Sequence, residues 1–144
     1  MQNIIDSFTD DYFFLSNFYL CEIEYESLIF PSTEHAYQAA KTSDIYQKSK
    51  IRDAKTPGIA KRLGKSVFLR QDWDQIKLSV MEDLVRQKFT KYIDLKQCLI
   101  DTGNAELIEG NWWKDIYWGV CKGVGENHLG KILMKIREEL NHDI

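Results

Sequence analysis

The chain has 144 residues, 44% of them apolar, 28% charged and 12% aromatic, and 22 acids against 19 bases leave a net charge of −3. One domain around one core is expected, because two cores of roughly 70 residues each would lie near the lower limit of self-sufficiency. The composition excludes coating of nucleic acid by bulk positive charge, no uncharged run approaches the roughly 18 residues of a membrane span, and the widely spaced Cys21, Cys98 and Cys121 make neither a disulfide framework nor a zinc ribbon.

The opening Met1-Gln2-Asn3-Ile4-Ile5-Asp6 has no basic segment followed by an apolar one, so a reducing, cytoplasmic setting is expected. Over residues 19–30, Cys21, Ile23 and Tyr25 alternate with Glu22, Glu24 and Glu26, the period-two pattern of a half-buried strand, and a turn near Ser27 makes a hairpin. Pro31 ends the extended run, and Ser32 or Thr33 can cap a helix over Glu34 to Thr42. Asp44 is placed to cap a helix reaching about Ala54, and Thr56-Pro57 opens a short one that stops at Gly64. Asp72 opens the longest helix, in which Trp73, Ile76, Val80, Leu84 and either Val85 or Phe89 form an apolar stripe. A shorter helix over Asp94 to Thr102 closes at Gly103, with Cys98 assigned to its apolar, core-facing side. The last runs from about Glu126 to Leu140, its stripe made of Leu129, Ile132, Leu133, Ile136 and Leu140. No repeat or linker interrupts the chain, so the expected class is α+β, predominantly helical, a single domain over 1–144 with a small hairpin or sheet.

Three stretches carry chemistry. On the first helix Glu34, Gln38 and Lys41 fall within roughly 60° of one another, so a carboxylate, an amide and an amine share one stripe, with Ala36, Ala39 and Ala40 opposite. Glu34 and Lys41 are about 10 Å apart along the axis, beyond the usual surface pairing of residues four apart, which leaves room for a ligand. A solvated polar face is the plainer alternative. His35 lies off the stripe, and His128 and His142 show no ligand spacing, so no metal and no cofactor are expected.

Trp112, Trp113, Tyr117 and Trp118 crowd seven residues. Adjacent Trp112 and Trp113 cannot both face inward from an extended chain, so at least one indole is expected to be displayed for stacking on a flat ligand, with Glu109 and Asp115 adding carboxylates. Gly119, Gly123, Gly125 and Gly130 follow. Residues 125–131 match G-x-x-x-x-G-K, but Ile132 stands where a P-loop needs Ser or Thr, so an NTPase is rejected. A flexible loop running into a helix N-terminus still offers backbone N–H groups to a phosphate, with an ordinary tight loop as the equal alternative.

The motifs Phe14-Leu15-Ser16-Asn17-Phe18, Phe30-Pro31-Ser32-x-Glu34-His35-x-Tyr37-Gln38-Ala39-x-Lys41, Trp73, Asp115-x-Tyr117-Trp118-Gly119 and Gly123-x-Gly125-x-Asn127-x-x-Gly130 leading to Leu133-Met134-x-Ile136-Arg137 resemble the NADAR (YbiA-like) family over essentially the whole chain. The resemblance implies a compact, mainly helical fold and N-glycosidase activity. The implied substrates are ADP-ribosylated guanine in DNA or RNA, from which ADP-ribose is released, or the phosphorylated ribosylamines of riboflavin synthesis. It implies Asn17, Glu34, Lys41, Trp73, Asp115 and Trp118 as site residues. Phe18 and Asn127 lie inside the matched motifs and, with Gln38, Trp113, Gly119, Gly123 and Gly125, complete the expected substrate-binding set. Val120-Cys121-Lys122 departs from relatives that are richer there in Gly and Asp.

Cleaving a ribose-to-nitrogen bond needs stabilisation of the anomeric carbon and protonation of the leaving base. Lys41, if partly desolvated, can exchange for the base through a Schiff base while Glu34 moves protons. A two-carboxylate route through Glu34 and Asp115 is the alternative, and a non-catalytic NAD or ADP-ribose-binding module is the rival from another class. Lys48, Lys50, Arg52, Lys55, Lys61, Arg62 and Lys65 make a locally basic stretch that reads either as a rim for flanking phosphates or as a solvated face.

Overall fold

The structure, a computed structural model, describes residues 3–142; Met1 and Gln2, the start of the stretch read for a leader, lie outside the described residues, as do Asp143 and Ile144. In chain order the elements are β1 (Ile4–Ile5), a 3-10 helix (Asp10–Leu15), β2 (Leu20–Tyr25), β3 (Leu28–Ser32), α1 (Thr33–Ala40), α2 (Ile45–Arg52), α3 (Pro57–Gly64), α4 (Trp73–Lys91), α5 (Ile93–Asp101), β4 (Glu106–Leu107), β5 (Gly110–Asn111), β6 (Val120–Cys121) and α6 (His128–His142). At 52% helix with a little sheet, the chain is α+β leaning to α, as expected. Among the described residues no helix is long and apolar enough to cross a membrane. The packing divides into two units, Asn17–Lys88 and the paired segments Met1–Ser16 and Phe89–Ile144.

In the Asn17–Lys88 unit β2 and β3 form the antiparallel hairpin, with a register irregularity between Leu20 and Ile23. Ile23 and Phe30 point into the core, while Glu22, Glu24 and Glu26 stay in water. The turn residues Glu26 and Ser27 both take left-handed φ, +50° and +69°, without the Asn-Gly that such a turn prefers. Glu26 is instead anchored from outside by Lys48 at 3.3 Å and Arg70 at 3.7 Å. α1 packs against β2, β3, α2 and α3, and all eight of its residues are buried. Its start is capped by Ser32, whose Oγ accepts from the His35 backbone N–H at 3.1 Å, worth about 1 kcal/mol. Asp44 caps α2 through two N–H groups, Thr56 caps α3 ahead of Pro57, and α3 stops at Gly64. The α4 stripe is buried at Trp73, Val80, Leu84 and Val85, while Ile76 is only half-buried; Phe89, in the part of α4 that belongs to the other unit, is buried too.

In the other unit β1 pairs in parallel with β4, and β5 with β6. α6 buries all five residues of its expected stripe. It opens at His128 rather than near Glu126, because Asn127 takes φ +55°, outside the helical region. α5 starts at Ile93 and is closed by Gly103, whose φ of +66° suits a residue without Cβ. Cys98 corrects the sequence reading: it is exposed, because α5 buries Leu95 and Leu99 and Cys98 sits to one side of that stripe, about 60° round the helix from Leu95 and about 100° from Leu99.

Candidate functional site

The Asn17–Lys88 unit gathers Glu34, Gln38, Lys41, Trp73 and Asn17 around α1. The Asn17 carbonyl accepts the Glu34 backbone N–H at 3.1 Å, and its side-chain Nδ2 lies 3.5 Å from Met81 Sδ, so Asn17 ties the preceding segment to the first turn of α1. Phe18 beside it is half-buried. Glu34 is itself buried, one of the first-turn residues at the positive end of the helix dipole. Gln38 Nε2 donates to Glu34 Oε1 at 3.2 Å.

Lys41 closes α1. Its Nζ stands 5.7 Å from the centre of the Tyr37 ring, and Tyr37 packs in turn on the buried Trp73 at 5.2 Å. Burial lowers the Lys41 pKa from the ordinary lysine value; the Glu34 carboxylate works against this, and Lys61, Lys65 and Lys77 add to it. This shift runs in the direction that a nucleophilic lysine needs. The sequence does not mark Tyr37 or Gly64 as neighbours of Lys41 and Gln38. Tyr37 stands four residues before Lys41, a helical spacing that could have flagged it; Gly64 is readable in sequence only as a helix stop.

His35 is engaged structurally. Its Nδ1 lies 2.7 Å from Ser32 Oγ and its Nε2 3.0 Å from the Ala54 carbonyl, and burial lowers its pKa. Both ring nitrogens are satisfied by a neutral ring that accepts from Ser32 and donates to Ala54.

The other unit holds the aromatic cluster. Trp112 is 84% exposed and Trp113 42%, their rings edge to face at 5.5 Å, so both indoles are displayed. The loop between β5 and Trp118 is locked: Asn111 Oδ1 accepts from the Asp115 N–H at 3.0 Å, Asn111 Nδ2 donates to the Asp115 carbonyl at 2.8 Å, and Asp115 Oδ1 accepts from the N–H groups of Tyr117 and Trp118. One oxygen of Asp115 is thus a structural acceptor. Trp118 stands edge-on to Tyr117 at 4.9 Å and to His128 at 6.3 Å.

The glycine segment differs from the phosphate-cradle expectation. The N–H groups of Glu126, Asn127, His128 and Leu129 donate to the carbonyls of Ile116, Gly119, Tyr117 and Trp118. Those donors at the start of α6 are occupied. Gly119 lies against Glu109, and Gly125, at φ +153°, against the Gly119 carbonyl, so both serve close backbone approach; Gly123, at φ +78°, has open space around it. Asn127 is buried with its amide used at both ends: Oδ1 accepts from the Glu109 N–H and Nδ2 donates to the Leu107 carbonyl, each at 2.9 Å.

Comparison with known proteins agrees with this architecture. The NADAR domain pattern matches residues 5–141. The N-glycosidase YbiA of Escherichia coli is 37% identical over 146 residues, covering 97% of this chain and 91% of the relative. A riboflavin biosynthesis protein of Vibrio vulnificus is 42% identical over 130 residues, 88% of this chain but 35% of the relative, so the chain spans about a third of that protein's length. The NMR structure of E. coli YbiA superposes with a TM-score of 0.86 at 36% identity, covering 99% of this chain and 88% of that one. The chain belongs to the NADAR family. The relatives that match over most of their own length are named N-glycosidases, in keeping with a glycosidase-type enzyme.

Proposed function

We propose that the chain is an N-glycosidase acting as one NADAR domain on the ribose-to-base bond of an ADP-ribose or nucleotide-like substrate, with ADP-ribosylated guanine in nucleic acid as the first substrate. The observation that carries this reading is the desolvated Lys41 amine on the same helix as the buried Glu34 carboxylate. In the open-chain imine form of the riboside, the neutral Lys41 amine adds to the anomeric carbon. The base nitrogen then leaves with a proton delivered through Glu34, and the C=N bond forms to Lys41 Nζ. Water adds to this Schiff base, and collapse of the carbinolamine returns the free amine and the sugar aldehyde. The name of the Vibrio vulnificus relative supports a second reading, hydrolysis of the ribosylamine phosphates of riboflavin synthesis.

Both readings are tested by chromatography of products from an ADP-ribosylated guanine oligonucleotide and from riboflavin-pathway ribosylamines, side by side. Borohydride added during turnover is expected to fix a sugar adduct on Lys41. Turnover without any adduct there rules out the lysine route and leaves the two-carboxylate route, in which Asp115→Asn is as damaging as Glu34→Gln. In either route Glu34→Gln is expected to bind substrate and release no base.

A further inference from the structure

Gln38 is 4% exposed, and its two amide atoms are treated unequally. Nε2 donates to Glu34 Oε1, whereas Gln38 Oε1 is buried and meets no hydrogen-bond donor among the described residues. An unpaired buried acceptor costs about 1–3 kcal/mol. Turning the amide over would bring two acceptors together at Glu34. The orientation that serves Glu34 is therefore kept against a local cost, and such a cost in a native structure asks for a function. Gly64 makes the arrangement possible. A Cβ at that position would collide with Gln38 Oε1 and its amide carbon, so only glycine lets the amide lie where it can reach Glu34.

We infer that Gln38, seated on Gly64, is a positioning residue of Glu34: its N–H donor holds one oxygen of the carboxylate and so fixes its rotamer. The inference rests on the reading of Glu34 as the proton shuttle. The charged groups that act on Lys41 at the C-terminal cap of α1 are Glu34, Lys61 on α3, Lys65 just past its end and Lys77 on α4, and none changes when Gln38 is replaced by a neutral side chain of similar size.

The test is Gln38→Met, which removes both the donor and the unpaired acceptor. Its unfolding midpoint is expected to equal or exceed that of the parent, with KM within twofold and kcat about tenfold lower on whichever substrate is turned over. Gly64→Ala is expected to lower kcat in the same way by pushing the amide off Glu34, and Gln38→Ala combined with Gly64→Ala to be no worse than Gln38→Ala alone. If Gly64→Ala does not fold, the two single Gln38 variants decide. An unchanged kcat in Gln38→Met, or a loss of kcat accompanied by an equally depressed unfolding midpoint, overturns the positioning role. Inactive Glu34→Gln beside fully active Gln38→Met removes this inference and leaves the proton-shuttle reading standing; fully active Glu34→Gln removes both.

Discussion

Lys88 is only 1% exposed, on the last turn of α4 in its unit, with Nζ 5.3 Å from the centre of the Tyr19 ring. Complete burial pushes its pKa down from 10.5 to about 8. Between those values the unfolded chain holds a proton here that the folded chain has released, so stability rises with pH across the window and falls again as pH drops through about 8. Relative to Lys88→Met, the parent is expected to gain about 3 kcal/mol of unfolding free energy from pH 8 to pH 10.5, read by denaturant titration at each pH. A flat difference would show that the amine is solvated. Nothing in the sequence marks this lysine, because its neighbours on α4 are an ordinary mixture of charged and apolar residues. Glu34, Gln38 and Lys41 are legible for the opposite reason: their chemistry shares one helical stripe. Gly64 is invisible as a site residue, since its role lies in a contact with Gln38, 26 positions earlier in the chain.

At the scale of elements, the start of α6 depends on one side chain. Asn127 occupies left-handed backbone and satisfies a donor on Glu109 and an acceptor on Leu107, and Gly130 lies against the Leu107 carbonyl beneath it. Asn127→Ala is expected to cost about 2–4 kcal/mol, combining two unpaired backbone groups with the loss of asparagine's tolerance of left-handed backbone. Asn127→Gly restores that tolerance and is expected to recover about 1 kcal/mol of the cost; calorimetry distinguishes the two, and equal midpoints would refute the backbone share. Helices and their caps are readable from Ser32, Asp44, Thr56-Pro57 and Gly103, because those signals act within a few residues. The short parallel pairs β1–β4 and β5–β6 are not readable, since two-residue strands carry no periodicity and their partners are remote in the chain. The hairpin turn at Glu26-Ser27 lacks its usual residues because Lys48 and Arg70 hold it from elsewhere.

For the whole molecule the question is whether the locally basic stretch touches a polynucleotide. Lys48 leaves the candidate rim, its side chain 8% exposed and paired with Glu26, and Arg52 lies 3.1 Å from Asp53. Lys50, Lys55, Arg62 and Lys65 are exposed. Four cations meeting a single strand limit the slope of log kcat/KM against log salt to about −3. Turnover of an ADP-ribosylated oligonucleotide is expected to show a measurable negative slope that Lys50→Gln and Lys65→Gln make shallower. A slope of zero would assign these residues to plain solvation. Overall acidity is no guide here, because a rim is set by where four side chains lie and not by the sum over the chain.

The locked loop carrying Trp112 and Trp113 has a thermodynamic corollary. Its backbone is immobilised by Asn111 and Asp115 before any ligand arrives. The backbone entropy of presenting the two indoles is therefore lost during folding, and a flat partner stacking there would have mainly side-chain rotation left to freeze. Breaking the lock with Asn111→Ala returns that entropy to the free state, so the penalty would surface in binding while both aromatic rings remain in the chain.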